Sequence, residues 1–255
     1  MPPVRGYEAE PCHSVTGEVG VAYRDAVAGL AAGLVLAVDG PVAVDRETVG
    51  AEICDAPAAR DIAAKPVDMR THFAPWQSIL ALTASTVLED DPDFAPLSQS
   101  GLADSFTAMP EPEAAPHTVT VVFGPGAALV AYDRLWYADL PKRYAEAQVT
   151  GGTGRNLGQP AGSGAGRTRR LFSIDWPVLD QHRDAVIAGV DLWPGTQDAR
   201  APAWLEDPVL RDALADLAAG PFRTRPIFNT TSWGGHWAQE QLGFNREDNS
   251  HRRAP

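Results

Sequence analysis

The residues best placed to do chemistry lie in one stretch, Asp39-Gly40-Pro41-Val42-Ala43-Val44-Asp45-Arg46-Glu47-Thr48. A loop that cradles nucleotide phosphates has the form G-x-x-x-x-G-K-[ST]. Its glycines turn backbone N–H groups inward, its lysine reaches the terminal phosphates, and its hydroxyl holds magnesium. Gly40 to Glu47 aligns with that form, with three changes. Asp45 replaces the second glycine and puts a carboxylate where a phosphate would sit. Arg46 replaces the lysine, keeping the charge but not the compact ammonium. Glu47 takes the hydroxyl position, with Thr48 one residue late. Asp45 is also suited to cap the helix that follows, because its side chain can accept from the unpaired N–H groups of the first turn. The expectation is a phosphate-loop frame without ordinary ATP–magnesium chemistry. Gly40, Arg46 and Thr48 are its candidate phosphate- or nucleotide-binding residues.

A second group of charges is Arg167, Arg169 and Arg170 with Lys142, Arg143 and Arg155. Guanidinium and ammonium groups there suit phosphate through charge-assisted hydrogen bonds, and equally suit a solvated lid on an acidic protein. The sequence leaves both readings open. Glu89-Asp90-Asp91-x-Asp93 lacks the glycine and distal glutamate of a calcium loop and reads as a solvated acidic turn. Ser98, Ser100 and Ser105 sit in no nucleophile-elbow context. His236 has no histidine or carboxylate at ligand spacing, and no Cys-x-x-Cys is present, so no metal ligand is expected in the chain.

These groups need elements to position them. Leu34 to Val38 is a short apolar run ending at Asp39-Gly40-Pro41, the look of a strand buried on both faces of a parallel sheet. Asp45 to Ala56 has helical spacing and stops at Pro57. Thr118 to Phe123 and Leu135 to Leu140 are clear strands, Ala63 to Met69 a weaker one, and Gly189 to Trp193 another. Helices are expected over Glu18 to Gly33, from near Pro75-Trp76 within His72 to Val87, over Lys142 to Gln148, Trp176 to Ile187 and Pro208 to Ala219, and a short one around Leu102 to Phe106. Residues 150 to 166 read as a flexible glycine-rich loop, 167 to 173 as strand or turn, 194 to 206 as a linker, and 245 to 255 as a frayed tail. Strands alternating with helices point to a mostly parallel sheet covered on both faces.

The 255-residue chain carries a formal net charge of -12. That balance argues against a sequence-independent nucleic-acid binder, which needs a basic face to displace counterions. Two cysteines, Cys12 and Cys54, imply no disulfide framework. No apolar run has bilayer length and the N-terminus lacks a signal-peptide layout, so a cytoplasmic protein without a membrane partner is expected.

The succession of strand, loop and helix, then Val67-Asp68-Met69-Arg70, Val121-Val122-Phe123-Gly124-Pro125-Gly126 and Leu135-Trp136-Tyr137-Ala138-Asp139-Leu140-Pro141, resembles the layout of uridine and other small-molecule kinases over roughly residues 30 to 195. The resemblance implies a three-layer α/β fold of P-loop kinase type with a C-terminal extension. It implies Asp68 as the catalytic acidic residue that handles the substrate hydroxyl, acting as base, Gly124 at the third turn and Asp139 at the fourth strand end. Lys142, Arg143 and Arg155 would flank an arginine-rich lid and bind phosphate. Gly124 departs from the pattern, because no acidic residue precedes it. Pro221 to Trp237, with Ser232-Trp233-Gly234-Gly235-His236-Trp237, is similar to the opening of class I mannose-6-phosphate isomerases. Their zinc is held by residues of a later barrel, so zinc is expected only for that domain, which this chain does not contain. The organisation expected is a degenerate kinase-like domain over 1–200 followed by a helix and an incomplete isomerase-like segment over 201–255. The function expected is the N-terminal portion of a sugar-phosphate isomerase-like protein, cut short, with a phosphorylated small molecule as partner. The alternative is an active nucleoside or sugar phosphotransferase.

Overall fold

The structure, a computed structural model, describes residues 13–56, 62–91 and 94–220. The chain divides into two compact units, Gly17–Leu210 and a second formed by Met1–Thr16 with Arg211–Pro255.

The larger unit is built on a seven-stranded sheet. Its strands are β1 (Gly20–Val21), β2 (Leu34–Asp39), β3 (Ala63–Asp68), β4 (Thr118–Phe123), β5 (Arg134–Tyr137), β6 (Leu192–Gly195) and β7 (Ala203–Glu206), in the spatial order β1-β7-β6-β5-β2-β4-β3. From β3 to β6 every pairing is parallel, whereas β7 and β1 add an antiparallel edge. The central strand is β2, as its unbroken apolar run demands. Leu36 and Val38 face one core with Val119 and Val121, while Val35 and Ala37 face a second with Val122 and Leu135. The first core is closed by α1 (Tyr23–Val27) and α2 (Arg46–Asp55), the latter through Val49 and Ile53. The mixed α/β class and the mostly parallel sheet thus follow the pattern of the sequence. Lys65 and Pro66 lie on the outer strand β3, where a lysine and a residue without an N–H discourage pairing with another chain.

Four local expectations are corrected. The helix expected over 18–33 is reduced to α1, preceded by β1. Gly20 pairs with Trp204, and a Cβ at Gly20 would overlap the indole, so the missing side chain makes room for the ring. The linker expected over 194–206 instead carries β7, whose register with β6 runs from Leu192↔Glu206 to Gly195↔Ala203. Residues 168–173 are helical, not strand or turn. A short helix α5 (Thr168–Arg170) runs through a π-turn, Leu171–Asp175, into α6 (Trp176–Val186), burying Leu171 against Ala145 and Val149. Those two core residues lie on α4 (Lys142–Thr150). The strand expected over 135–140 ends at Tyr137, because β5 hands its hydrogen bonding over to Asp139, whose N–H donates to Pro194. Two further helices are α3 (Trp76–Leu82) and α7 (Asp207–Ala219).

Candidate functional site

The loop after β2 is anchored by the residue before it. Asp39 is fully buried, and its Oδ1 accepts from the N–H of Gly40 at 2.6 Å and of Gly126 at 3.1 Å. Its Oδ2 accepts from the N–H of Ala128 at 2.8 Å and lies 2.7 Å from Nε2 of His182 on α6. One carboxylate therefore ties the turn after β2 to the turn after β4 and to a helix 143 positions away in sequence. Gly40 follows with φ +149, and a Cβ there would overlap the carbonyl oxygen of Ala138. Only glycine combines that conformation with that approach.

Asp45 caps α2. Its Oδ1 accepts from the backbone N–H of Thr48 at 3.1 Å and its Oδ2 from the Thr48 hydroxyl at 2.8 Å. The backbone hydrogen bond from Thr48 holds this carboxyl below its ordinary range against a smaller opposing effect of burial. An ionised carboxylate thus sits in the positive field of the helix N-terminus, the position a phosphate takes in a working loop. The Thr48 hydroxyl is spent on the same carboxylate. Arg46 is the first residue of α2, and its side chain lies outside the described structure.

The loop forms one side of a cleft of about 760 Å³ at the carboxyl edge of the parallel strands, where ligands of open α/β sheets collect. The other sides are the end of β3 with Asp68, Arg70 and Thr71, the start of α3 with Phe73 to Trp76, and residues 153–161. Of the site residues read from sequence, Asp68 and Arg155 meet in this cleft, and Gly40 and Thr48 shape its loop. Lys142 and Arg143 do not line it. Lys142 pairs with Asp180 and lies 5.1 Å from the Trp176 ring centre, and Arg143 sits 5.1 Å from that of Tyr144. Asp139 and Gly124 also lie outside the lining.

Asp68 is not an unengaged base. Its Oδ1 accepts from the backbone N–H of Arg70 at 2.9 Å, and both its oxygens accept from Arg70 Nε at 3.0 Å. Arg70 Nη2 adds a bond of 2.7 Å to Oδ2, and this pairing raises the guanidinium pKa. Arg70 Nη1 is left 4.0 Å from Glu47 Oε1. Arg155 pairs with no carboxylate among the described residues. The cleft therefore offers one guanidinium without a carboxylate partner among the described residues, Arg155, while Arg70 lies between the Asp68 and Glu47 carboxylates. The basic run behaves otherwise: Arg169 donates to the carbonyls of Leu88 and Phe94, and Arg170 to the Thr83 hydroxyl.

The glycine-rich segment has no helix or strand, yet it is tied internally. Asn156 mimics a backbone pairing with Arg167, donating to its carbonyl at 3.1 Å and accepting its N–H at 2.7 Å. Gln159 accepts from Asn156 N–H at 2.9 Å and donates to Gly164 at 3.1 Å. Asn156 also donates to Asp175 at 2.7 Å. Asp175 is fully buried, and burial pushes its carboxyl up to about 6 against the opposing pull of Asn156 and Arg170. Burial likewise lowers the pKa of Arg170. Asp39, Asn156 and Asp175 carry no signal in the sequence, because each owes its role to partners brought together by the fold.

Among the described residues, no three or more histidine, cysteine, aspartate or glutamate side chains gather as a metal site, and no helix is long and apolar enough to cross a membrane. The Trp-Gly-Gly segment, His236 and Cys12 lie outside the described residues. No curated protein matches the chain. Residues 21–219, which hold the cleft, its loop and all of the parallel strands, match the family described as domain of unknown function DUF8485, and the chain belongs to that family.

Proposed function

We propose that this domain is a degenerate P-loop-kinase-type module that binds a phosphorylated small molecule in the cleft and does not transfer phosphoryl groups. The observation that carries the reading is the Asp45 carboxylate capping α2, with the Thr48 N–H and hydroxyl both engaged on it. A nucleotide phosphate would meet like charge there, and the hydroxyl nearest the magnesium-binding position is occupied. The anion goes instead to Arg155, the cleft guanidinium without a carboxylate partner among the described residues. Phe73, Pro75 and Trp76 give the apolar wall that a sugar or ring packs against. The net charge of -12 keeps nucleic acid off the list of partners, and the expected setting is cytoplasmic.

The resemblance of Pro221 to Trp237 to class I mannose-6-phosphate isomerases selects the first ligands to try, mannose 6-phosphate and fructose 6-phosphate. In this proposal the isomerase chemistry and its zinc belong to a barrel domain and not to the cleft. Thermal denaturation is run with each sugar phosphate and with ATP–magnesium. A ligand at a hundred times its dissociation constant adds about 2.7 kcal/mol. A sugar phosphate is expected to raise the melting temperature and ATP–magnesium to leave it unchanged, with Arg155→Ala removing the sugar-phosphate effect. ATP–magnesium stabilisation, or phosphoryl transfer lost in Asp68→Asn, would establish the phosphotransferase reading in its place.

A further inference from the structure

Beneath the cleft, two buried charges join walls that are far apart in sequence. Asp175 is fully buried and the Arg170 side chain is 10 % exposed; Arg170 Nε stands 3.6 Å from Asp175 Oδ1. Each partner reaches a different wall. Asp175 accepts from Asn156, which lies in the 153–161 wall of the cleft. Arg170 donates through Nη1 to the Thr83 hydroxyl at 2.8 Å and lies 4.9 Å from the ring centre of Trp76, so it holds both ends of α3. Trp76 in turn lines the cleft. The π-turn Leu171–Asp175 lets one helical stretch carry both charges, and such turns are frequent at functional sites.

A pair serving only stability would be saturated with hydrogen bonds. This one is not: Arg170 Nε and Nη2 and Asp175 Oδ1 are buried without a hydrogen-bond partner. Burial of incompletely bonded charge opposes folding, and apolar replacements of similar volume often match or exceed the stability of such pairs. The geometry itself, two walls fixed through one contact, is what the pair contributes.

We infer that Arg170 and Asp175 are positioning residues that set the α3 wall and the 153–161 wall against each other and thereby the affinity of the cleft. The affinity part rests on the phosphorylated-ligand reading; the coupling of the walls does not. The test is hydrogen exchange by mass spectrometry on the full chain, with fructose 6-phosphate binding by calorimetry beside it. The apolar double variant Arg170→Met/Asp175→Leu removes the buried charge and is expected to melt near the wild type. Its exchange should nevertheless rise at least tenfold in both 76–83 and 154–159, and its sugar-phosphate affinity should fall at least tenfold. Wild-type exchange in the two segments of a stably folded double variant would overturn the inference.

Thr83→Val is the second, milder probe, because it removes only the α3 end of the connection. Faster exchange in 154–159, a segment for which no hydrogen bond to Thr83 is present, supports the coupling; unchanged exchange there refutes it, even if the double variant does not fold. Absence of fructose 6-phosphate binding to the wild type counts against the ligand reading alone, since the exchange results still decide the wall coupling.

Discussion

Replacing Asp45 tests the central argument about the loop. The Ala variant loses the acceptor for the Thr48 N–H at 3.1 Å and for its hydroxyl at 2.8 Å. An N-cap aspartate replaced by alanine costs about 1 kcal/mol, whereas glycine in its place costs only a few tenths. For a domain of this size 1 kcal/mol is about 2–4 °C in melting temperature. Asp45→Ala should therefore melt a few degrees below the wild type at pH 7, and Asp45→Gly between the two. The effect has a definite pH signature. The folded-state pKa is lowered, so the cap contributes fully above the unfolded value near 3.8 and is lost as pH falls through the lower folded value. The gap between wild type and Asp45→Ala should stay constant from pH 7 to about 4.5 and close in stronger acid. The second arm uses inorganic phosphate. With the carboxylate gone, the N-terminus of α2 is open to an anion, so phosphate should stabilise Asp45→Gly more than the wild type. Equal melting of all three proteins, or an equal response to phosphate, would refute the claim that Asp45 occupies the phosphate position.

Three other perturbations follow from the same geometry. Gly40→Ala forces a Cβ into the Ala138 carbonyl at φ +149 and should cost at least about 1–3 kcal/mol in urea unfolding; a change within a few tenths would contradict the placement of the loop. Asp175 has a folded pKa raised from 3.8 to about 6, so its contribution to stability is full below the unfolded value and is lost as pH rises through about 6. Unfolding free energy measured from pH 3 to 7 should carry a decline of roughly 3 kcal/mol from this residue that Asp175→Asn abolishes. The Cys54 thiol is pushed up to about 11, first by burial and then by Asp55, so its peptide should alkylate slowly at pH 8 in the native protein and rapidly in denaturant; equal rates would contradict the placement of Cys54.

How much of this was legible in the sequence depends on how local each cause is. β2 and β4 could be read because strands buried on both faces need unbroken apolar runs, and Leu34–Val38 and Thr118–Phe123 supply them. The start of α2 could be read because the capping partner of Asp45 is three residues away. The β1–β7 edge could not, since it depends on Gly20 leaving room for Trp204, a pairing across more than 180 positions. The π-turn was equally silent: nothing in Arg169-Arg170-Leu171 marks a helix until Leu171 meets Ala145 and Val149.

The same distinction explains which of the charged side chains read from the sequence the fold brings to the cleft. Seven basic residues and one acid were compatible with phosphate and base roles by type alone. A side chain is available to a ligand only if the fold has not already given it a partner, and that is settled by long-range contacts. Asp180 takes Lys142, the carbonyls of Leu88 and Phe94 take Arg169, and Thr83 takes Arg170. Asp68 is taken by Arg70, two positions along, through the turn at Met69–His72. Among the described residues lining the cleft, the cation left without a carboxylate partner is Arg155, whereas Arg70 lies between Asp68 and Glu47. The loop after β2 thus presents an anion of its own at the start of α2, and Arg155 shares a small pocket with Pro41, Val42 and Ala43 of that loop. In the reading proposed above, Arg155 is therefore the cleft cation whose loss matters most to an anionic ligand, because Arg70 is already held by the Asp68 and Glu47 carboxylates.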